Sequence, residues 1–130
     1  MVTGHGGLAL DYTSDGGSPG GGGGVHVTAG LRSGTWGVGL GTGVTASSLG
    51  DVIIPIAVEL AFYSPKWYGT LGLGTSFWGS GYAGNVLEVA SVGGIIARHF
   101  MIGVRVENSI FTSDFQSGAF VCDAELGYRY

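Results

Sequence analysis

Val52-Ile53-Ile54-Pro55-Ile56-Ala57-Val58-Glu59-Leu60-Ala61-Phe62-Tyr63 decides the fold. Its even positions read Val, Ile, Ile, Val, Leu, Phe, and its odd positions read Ile, Pro, Ala, Glu, Ala, Tyr. A period of two with one apolar side is the pattern of a β-strand that buries or solvates one face in an apolar medium. The preceding stretch repeats it with glycine: Trp36, Val38, Leu40, Thr42 and Val44 alternate with Gly37, Gly39, Gly41 and Gly43.

Working outward, eight such segments fit the chain, at roughly 2–14, 25–32, 35–47, 52–63, 67–78, 86–98, 100–111 and 119–130. The sixth is the least regular, because Val92-Gly93-Gly94-Ile95-Ile96 blurs the alternation, and a bulge is expected at the glycine pair. Ser33-Gly34, Ser64-Pro65-Lys66 and the Arg98-His99 junction are tight turns. The other connections are longer: Asp15-Gly16-Gly17-Ser18-Pro19 with the five glycines at 20–24 as a flexible loop, Ser48–Asp51, Gly79–Asn85 and Thr112–Gly118. All tight turns then lie at one end of a single domain covering 1–130, and all loops at the other. The expected fold class is all-β: an eight-stranded antiparallel up-and-down barrel.

Composition agrees. Of 130 residues 28 are glycine, and charged residues make up 11%. Glycine has no triplet period, so the chain is not collagen-like. Six Phe, six Tyr and three Trp argue against disorder. No run approaches the ~20 apolar residues of a membrane helix. A net charge of −4 without a basic run leaves no footprint for nucleic acid. The single Cys122 excludes an internal disulfide and a CxxC metal site. Met1-Val2-Thr3-Gly4-His5 lacks the basic and apolar regions of a signal peptide, so either the chain is a mature form with an added Met or it is not exported, and the strand pattern favours the first.

The direction of the apolar face separates a soluble barrel from a membrane barrel. That face carries more large side chains than an eight-stranded interior can hold, whereas the other face is mainly Gly, Ala, Thr and Ser. Asp11, Arg32, Glu59, Glu88, Arg98, Arg105, Glu107, Asp123, Glu125 and Arg129 all fall on the small, polar face, the parity of strand six being set partly by its charges. Asp15, Asp51, Lys66 and Asp114 fall in connections, so no charge is left on the apolar face. That is the expected distribution where lipid lies outside, since an outward Arg or Lys at mid-depth costs roughly 2–4 kcal/mol. Strands of about eleven residues at ~3.3 Å per residue and ~40° tilt span roughly 27 Å, near the ~25 Å apolar band of such barrels. Trp36, Trp67, Phe100, Tyr128 and Tyr130 point outward near the tight turns, and Tyr12, Phe77 and Phe120 near the loops, as two interfacial girdles.

With the eight alternating segments, the turn pattern and the ending Glu125-Leu126-Gly127-Tyr128-Arg129-Tyr130, the chain resembles a small bacterial outer-membrane β-barrel of the OmpA/OmpX type. The resemblance implies an integral outer-membrane protein with tight turns and both termini periplasmic. It also implies a C-terminal strand read by the outer-membrane assembly machinery. The partners expected are a lipid bilayer or detergent and that machinery, with no nucleic acid and the chain a monomer.

The inward charges form the main constellation: Asp11, Glu59, Glu88, Glu107, Asp123 and Glu125 against Arg32, Arg98, Arg105 and Arg129. Arginine binds carboxylates through two donors, which suits a packed interior, so a salt-bridged plug is expected, with an ion-lined water path as the alternative. His26 joins this network, and pairing with Asp11 would hold it in one tautomer. With Ser14 the two imitate a Ser/His/Asp set, and barrels resembling lipid A acylases and deacylases use such residues. The His-x-Ser signature of the deacylases is absent. His5 and His99 lack ligand spacing, so no metal site and no cofactor are expected. Inward glycines leave room for inward Tyr63, Tyr68 and Trp78. Cys122 falls on the lipid face, and Pro55 requires a bulge or a place near the loop end of its strand.

The leading expectation is a non-enzymatic structural or surface-interaction protein with a plugged lumen. A very small passive pore, a lipid-modifying enzyme using His26, and a designed or reduced barrel scaffold are the alternatives.

Overall fold

The computed structural model is a closed antiparallel barrel in which each strand pairs with its neighbour in sequence and β8 closes on β1. It describes residues 2–13, 16–48, 52–79, 84–112 and 118–128, with side chains from Pro19 onward apart from Ser47. The strands are β1 (Val2–Thr13), β2 (Gly16–Ser33), β3 (Trp36–Ser47), β4 (Val52–Tyr63), β5 (Trp67–Trp78), β6 (Asn85–Ile96), β7 (Phe100–Phe111) and β8 (Gly118–Tyr128). Expected strand positions on Ser14, Arg129 and Tyr130 fall outside the described residues, as do the side chains of His5, Asp11 and Tyr12.

Strand β4 follows its sequence pattern without exception over ten residues: Val52, Ile54, Ile56, Val58 and Leu60 are exposed on the outer wall, while Ile53, Pro55, Ala57, Glu59 and Ala61 are buried inside. Outward Trp36, Phe62 and Trp67 stack against one another near the tight turns, with ring centroids 5.1 and 4.8 Å apart. Phe100 and Tyr128 form an edge contact on the same rim, while Phe77 and Phe120 are exposed toward the other end. An outer wall that is apolar between aromatic rims, around an interior of buried polar groups, is the distribution of a barrel that faces lipid.

Three local expectations are corrected. The five-glycine run is strand, not loop: Gly20–Gly24 pairs with His5–Ala9 of β1, and Gly22–Gly24 pairs also with β3. Only two residues separate β1 from β2, so the first connection is short. A ladder needs only backbone groups, and neighbours on both sides supply the partners that overcome glycine's entropic cost. Ser48 continues this edge, accepting a bond from Gly21 N at 2.9 Å on its hydroxyl and donating its own N–H to Gly21 O at 2.7 Å. Second, no bulge interrupts Gly93-Gly94, because β6 keeps one register against β5 and another against β7 throughout. Third, Arg98 is not on the lumen wall. It lies in the exposed β6–β7 turn, where Ala97 and Arg98 both take positive φ (50° and 68°).

Pro55 sits in the loop-end half of β4. The β3–β4 pairing is interrupted between Thr42↔Ile56 and Thr45↔Ile53 and resumes in the same register. The missing proline donor is thus accommodated by a gap in one ladder, without an inserted residue.

Candidate functional site

The interior is small-walled, and its middle is occupied by ionisable side chains. His26 of β2, Glu59 of β4, Arg105 of β7 and Glu125 of β8 are each at most 1% exposed. Glu59 Oε1 lies 2.9 Å from His26 Nε2, and Thr28 donates to Glu59 Oε2 at 2.8 Å. Arg105 donates from Nε to Glu107 Oε1 at 2.7 Å, and its Nη2 lies 3.1 Å from His26 Nδ1 and 3.4 Å from Glu59 Oε1. Tyr68 of β5 donates its hydroxyl to Glu125 Oε1 at 3.1 Å. In a ring of eight strands, bonds from β4 to β7 and from β5 to β8 run across the interior, not along the wall.

Glycine makes this crossing possible. A Cβ on Gly41 would stand 2.5 Å from Glu59 Oε1 and 2.7 Å from His26 Nε2, and one on Gly103 would stand 2.6 Å from the Tyr68 hydroxyl. Asp123 and Glu107 are also buried on the inner face, Asp123 directly opposite Arg105 in the β7–β8 ladder.

The expected network is corrected at several members. His26 does not meet Asp11: Asp11 pairs with Ser18 and Ala119, whereas the residue opposite His26 is Thr3. The longer β2 places His26 mid-strand, where its partners come from β4 and β7. Arg32 has inward parity but is exposed at the tight-turn mouth, bonded to Gly34 O at 2.9 Å and stacked 4.9 Å from the Tyr63 ring.

Glu88 is not in the lumen. On β6 the inward residues are Asn85, Leu87, Val89 and Ser91, and Glu88 is exposed on the outer wall, accepting a bond from Asn108 Nδ2 at 3.1 Å. The expectation of an outer wall without charge fails at this residue. The physical reason is packing. Leu87 and Val89 stand opposite Gly74 and Gly72 of β5 and close onto Ala57 of β4, so large side chains fill the space that small ones leave.

A second polar layer lies nearer the loops. The β5–β6 pairing ends at Gly74↔Leu87, and beyond it the Asn85 side chain takes over the ladder. Its Oδ1 accepts from Ser76 N at 2.8 Å, and its Nδ2 donates to Ser76 O at 2.7 Å. Ser76 Oγ reaches Ser109 Oγ and receives Trp78 Nε1, both at 3.1 Å. Replacing Asn85 with leucine is expected to cost about 1–3 kcal/mol, because Ser76 N–H and C=O lose their buried partners. Urea unfolding in detergent micelles measures it. The sequence holds no clear signal for this layer, because Asn85 falls in the expected Gly79–Asn85 connection and its inward parity follows only from the observed β6.

Among the described residues no group of His, Cys, Asp and Glu is arranged to hold a metal ion.

No protein-family model matches the chain, and no curated protein matches it by sequence. Among solved structures, the chain is similar to the outer membrane enzyme PagL, with a TM-score of 0.62 over 98% of this chain and 97% of that one, at 13% identity. The small outer-membrane barrel is therefore the fold. At this identity the likeness speaks for the fold alone. It nonetheless corrects the expectation that the chain is not an enzyme, which rested on the missing His-x-Ser signature, since a solved barrel of this architecture is an outer membrane enzyme.

Proposed function

We propose that this chain is an integral outer-membrane barrel with a closed lumen, which serves as a rigid membrane-embedded platform for the segments joining its strands on the loop side. The tight-turn side faces the periplasm in this reading, and β8 is the strand handed to the assembly machinery. One observation carries it: the Glu59–His26–Arg105–Glu107 cluster and the Tyr68–Glu125 bond bind strands three apart across the interior. Polar groups joined in this way stand across the line an ion would have to follow, and bonds between strands three apart resist deformation of the barrel. His26 is a member of this closure, with both ring nitrogens in contact range of Arg105.

Planar-bilayer recording tests the reading. The purified wild-type barrel, shown to be folded by heat-modifiable gel migration, is expected to give no conductance steps. Reproducible steps from the wild type would overturn the closed lumen and favour the narrow pore.

A further inference from the structure

Among the described residues Glu88 is the one formally charged side chain on the outer wall of a strand, and nothing in the closure of the lumen uses it. A carboxylate on a lipid-facing wall loses water that only hydrogen-bond donors can replace. Asn108 supplies one donor, at 3.1 Å to Oε2, and Oε1 has no partner among the described residues. The pair is not at the extreme rim: outward Val86 and Ile110 lie beyond it on the same strands.

The surface below Glu88 is concave. A groove of about 580 Å³ runs between Leu71 and Leu73 on one side and Val106 and Phe120 on the other, with Ala90 at its floor and Glu88 and Asn108 at its head. A second groove of about 690 Å³ shares Leu60, Leu71, Ala90 and Val106 with the first and continues to the Trp36–Phe62–Trp67 cluster. The hollow follows from side-chain size, since Ala90 stands between Leu71 and Val106 in the adjacent ladders. One polar acceptor at the head of a long apolar channel is complementary to an amphiphile, whereas a second copy of this wall would bring two hollows face to face.

We propose that this face is a lipid-binding site. Its occupant is an acyl amphiphile that carries hydrogen-bond donors, amide N–H or hydroxyl, where head group meets chain. The donors bond Glu88, and a chain lies along the groove toward Trp67. The inference is independent of whether the lumen conducts.

Sphingomyelin and phosphatidylcholine test it, because they share a phosphocholine head and only sphingomyelin has an amide and a hydroxyl at that junction. Native mass spectrometry of the barrel released from nanodiscs holding equal amounts of the two is expected to show sphingomyelin retained about tenfold over phosphatidylcholine, the scale of one hydrogen bond to a charged acceptor. Glu88→Leu is expected to remove the preference while the barrel still folds, since it deletes a charge from an apolar wall. Glu88→Gln keeps a carbonyl acceptor and is expected to retain part of it. Equal retention by the wild type, or a preference that survives in Glu88→Leu, would overturn the proposal. So would efficient disulfide trapping of two copies through Glu88→Cys in a Cys122→Ser background, which would make this face a protein interface.

Discussion

Arg105→Ala is expected to destabilise the barrel by about 3–5 kcal/mol, the cost of removing one partner from a buried ionic cluster. Arg105 is the cation at the centre of the lumen, and its side chain is fully shielded from solvent. It serves Glu107 at 2.7 Å, Glu59 at 3.4 Å and the His26 ring at 3.1 Å. Without it, two carboxylates keep their desolvation and lose their counter-charge. Urea titration of the folded barrel in micelles, followed by tryptophan fluorescence and by gel mobility, measures the loss. Coupling is part of the prediction. Arg105→Met combined with Glu59→Gln is expected to cost less than the sum of the single changes, because the double variant removes charge of both signs. Strict additivity, or a loss below about 1 kcal/mol for Arg105→Ala, would mean that the cluster is not a connected unit.

Gly41→Val is expected to cost about 1–3 kcal/mol from overpacking and, on top of that, the His26–Glu59 bond. Even a single Cβ at this position would overlap both partners, at 2.5 Å from Glu59 Oε1 and 2.7 Å from His26 Nε2. Both partners are buried, so neither swings away into water. Gly69→Ala is the control on the outer wall. Its Cβ would meet nothing closer than 3.6 Å, and replacing a strand glycine there is expected to be neutral or to stabilise the barrel by about 0.5–1 kcal/mol. If Gly41→Val and Gly69→Ala behaved alike under urea, the lumen glycines would not be clearances for the polar cluster.

Strands β3, β4 and β7 are legible from their alternation, because inward positions are mostly small or polar and outward ones mostly apolar, with Ile53 and Met101 inward and Asn108 outward among the exceptions. The same alternation puts Glu59, Arg105, Glu107, Asp123 and Glu125 on the inner face, where the structure buries them. Which of them touch was not legible. Glu59 and Arg105 are 46 positions apart and Tyr68 and Glu125 are 57, and their contacts depend on the stagger with which the barrel closes. The expected His26–Asp11 pairing fails because the glycine run is strand, which sets His26 opposite Thr3 and Asp11 opposite Ser18. Glycine has no side chain to carry a period, so β2 before Val25 is silent in the sequence. Its strand conformation comes from the neighbours that pair with it.

The sequence by itself determined an eight-segment antiparallel barrel with lipid outside, because alternation and the placement of large apolar residues are local properties of the chain. Only the tertiary structure decided the parity of β6. There the alternation is ambiguous, and a lipid-facing wall by itself favours an inward Glu88. The decision was made by volume: Gly72, Gly74 and Ala57 leave a hollow inside the barrel that Leu87 and Val89 fill, and turning those two inward turns Glu88 out. Packing across strands outweighed the cost of one exposed carboxylate, which is why the outer-wall site at Glu88 and Asn108 could be found only in the folded molecule.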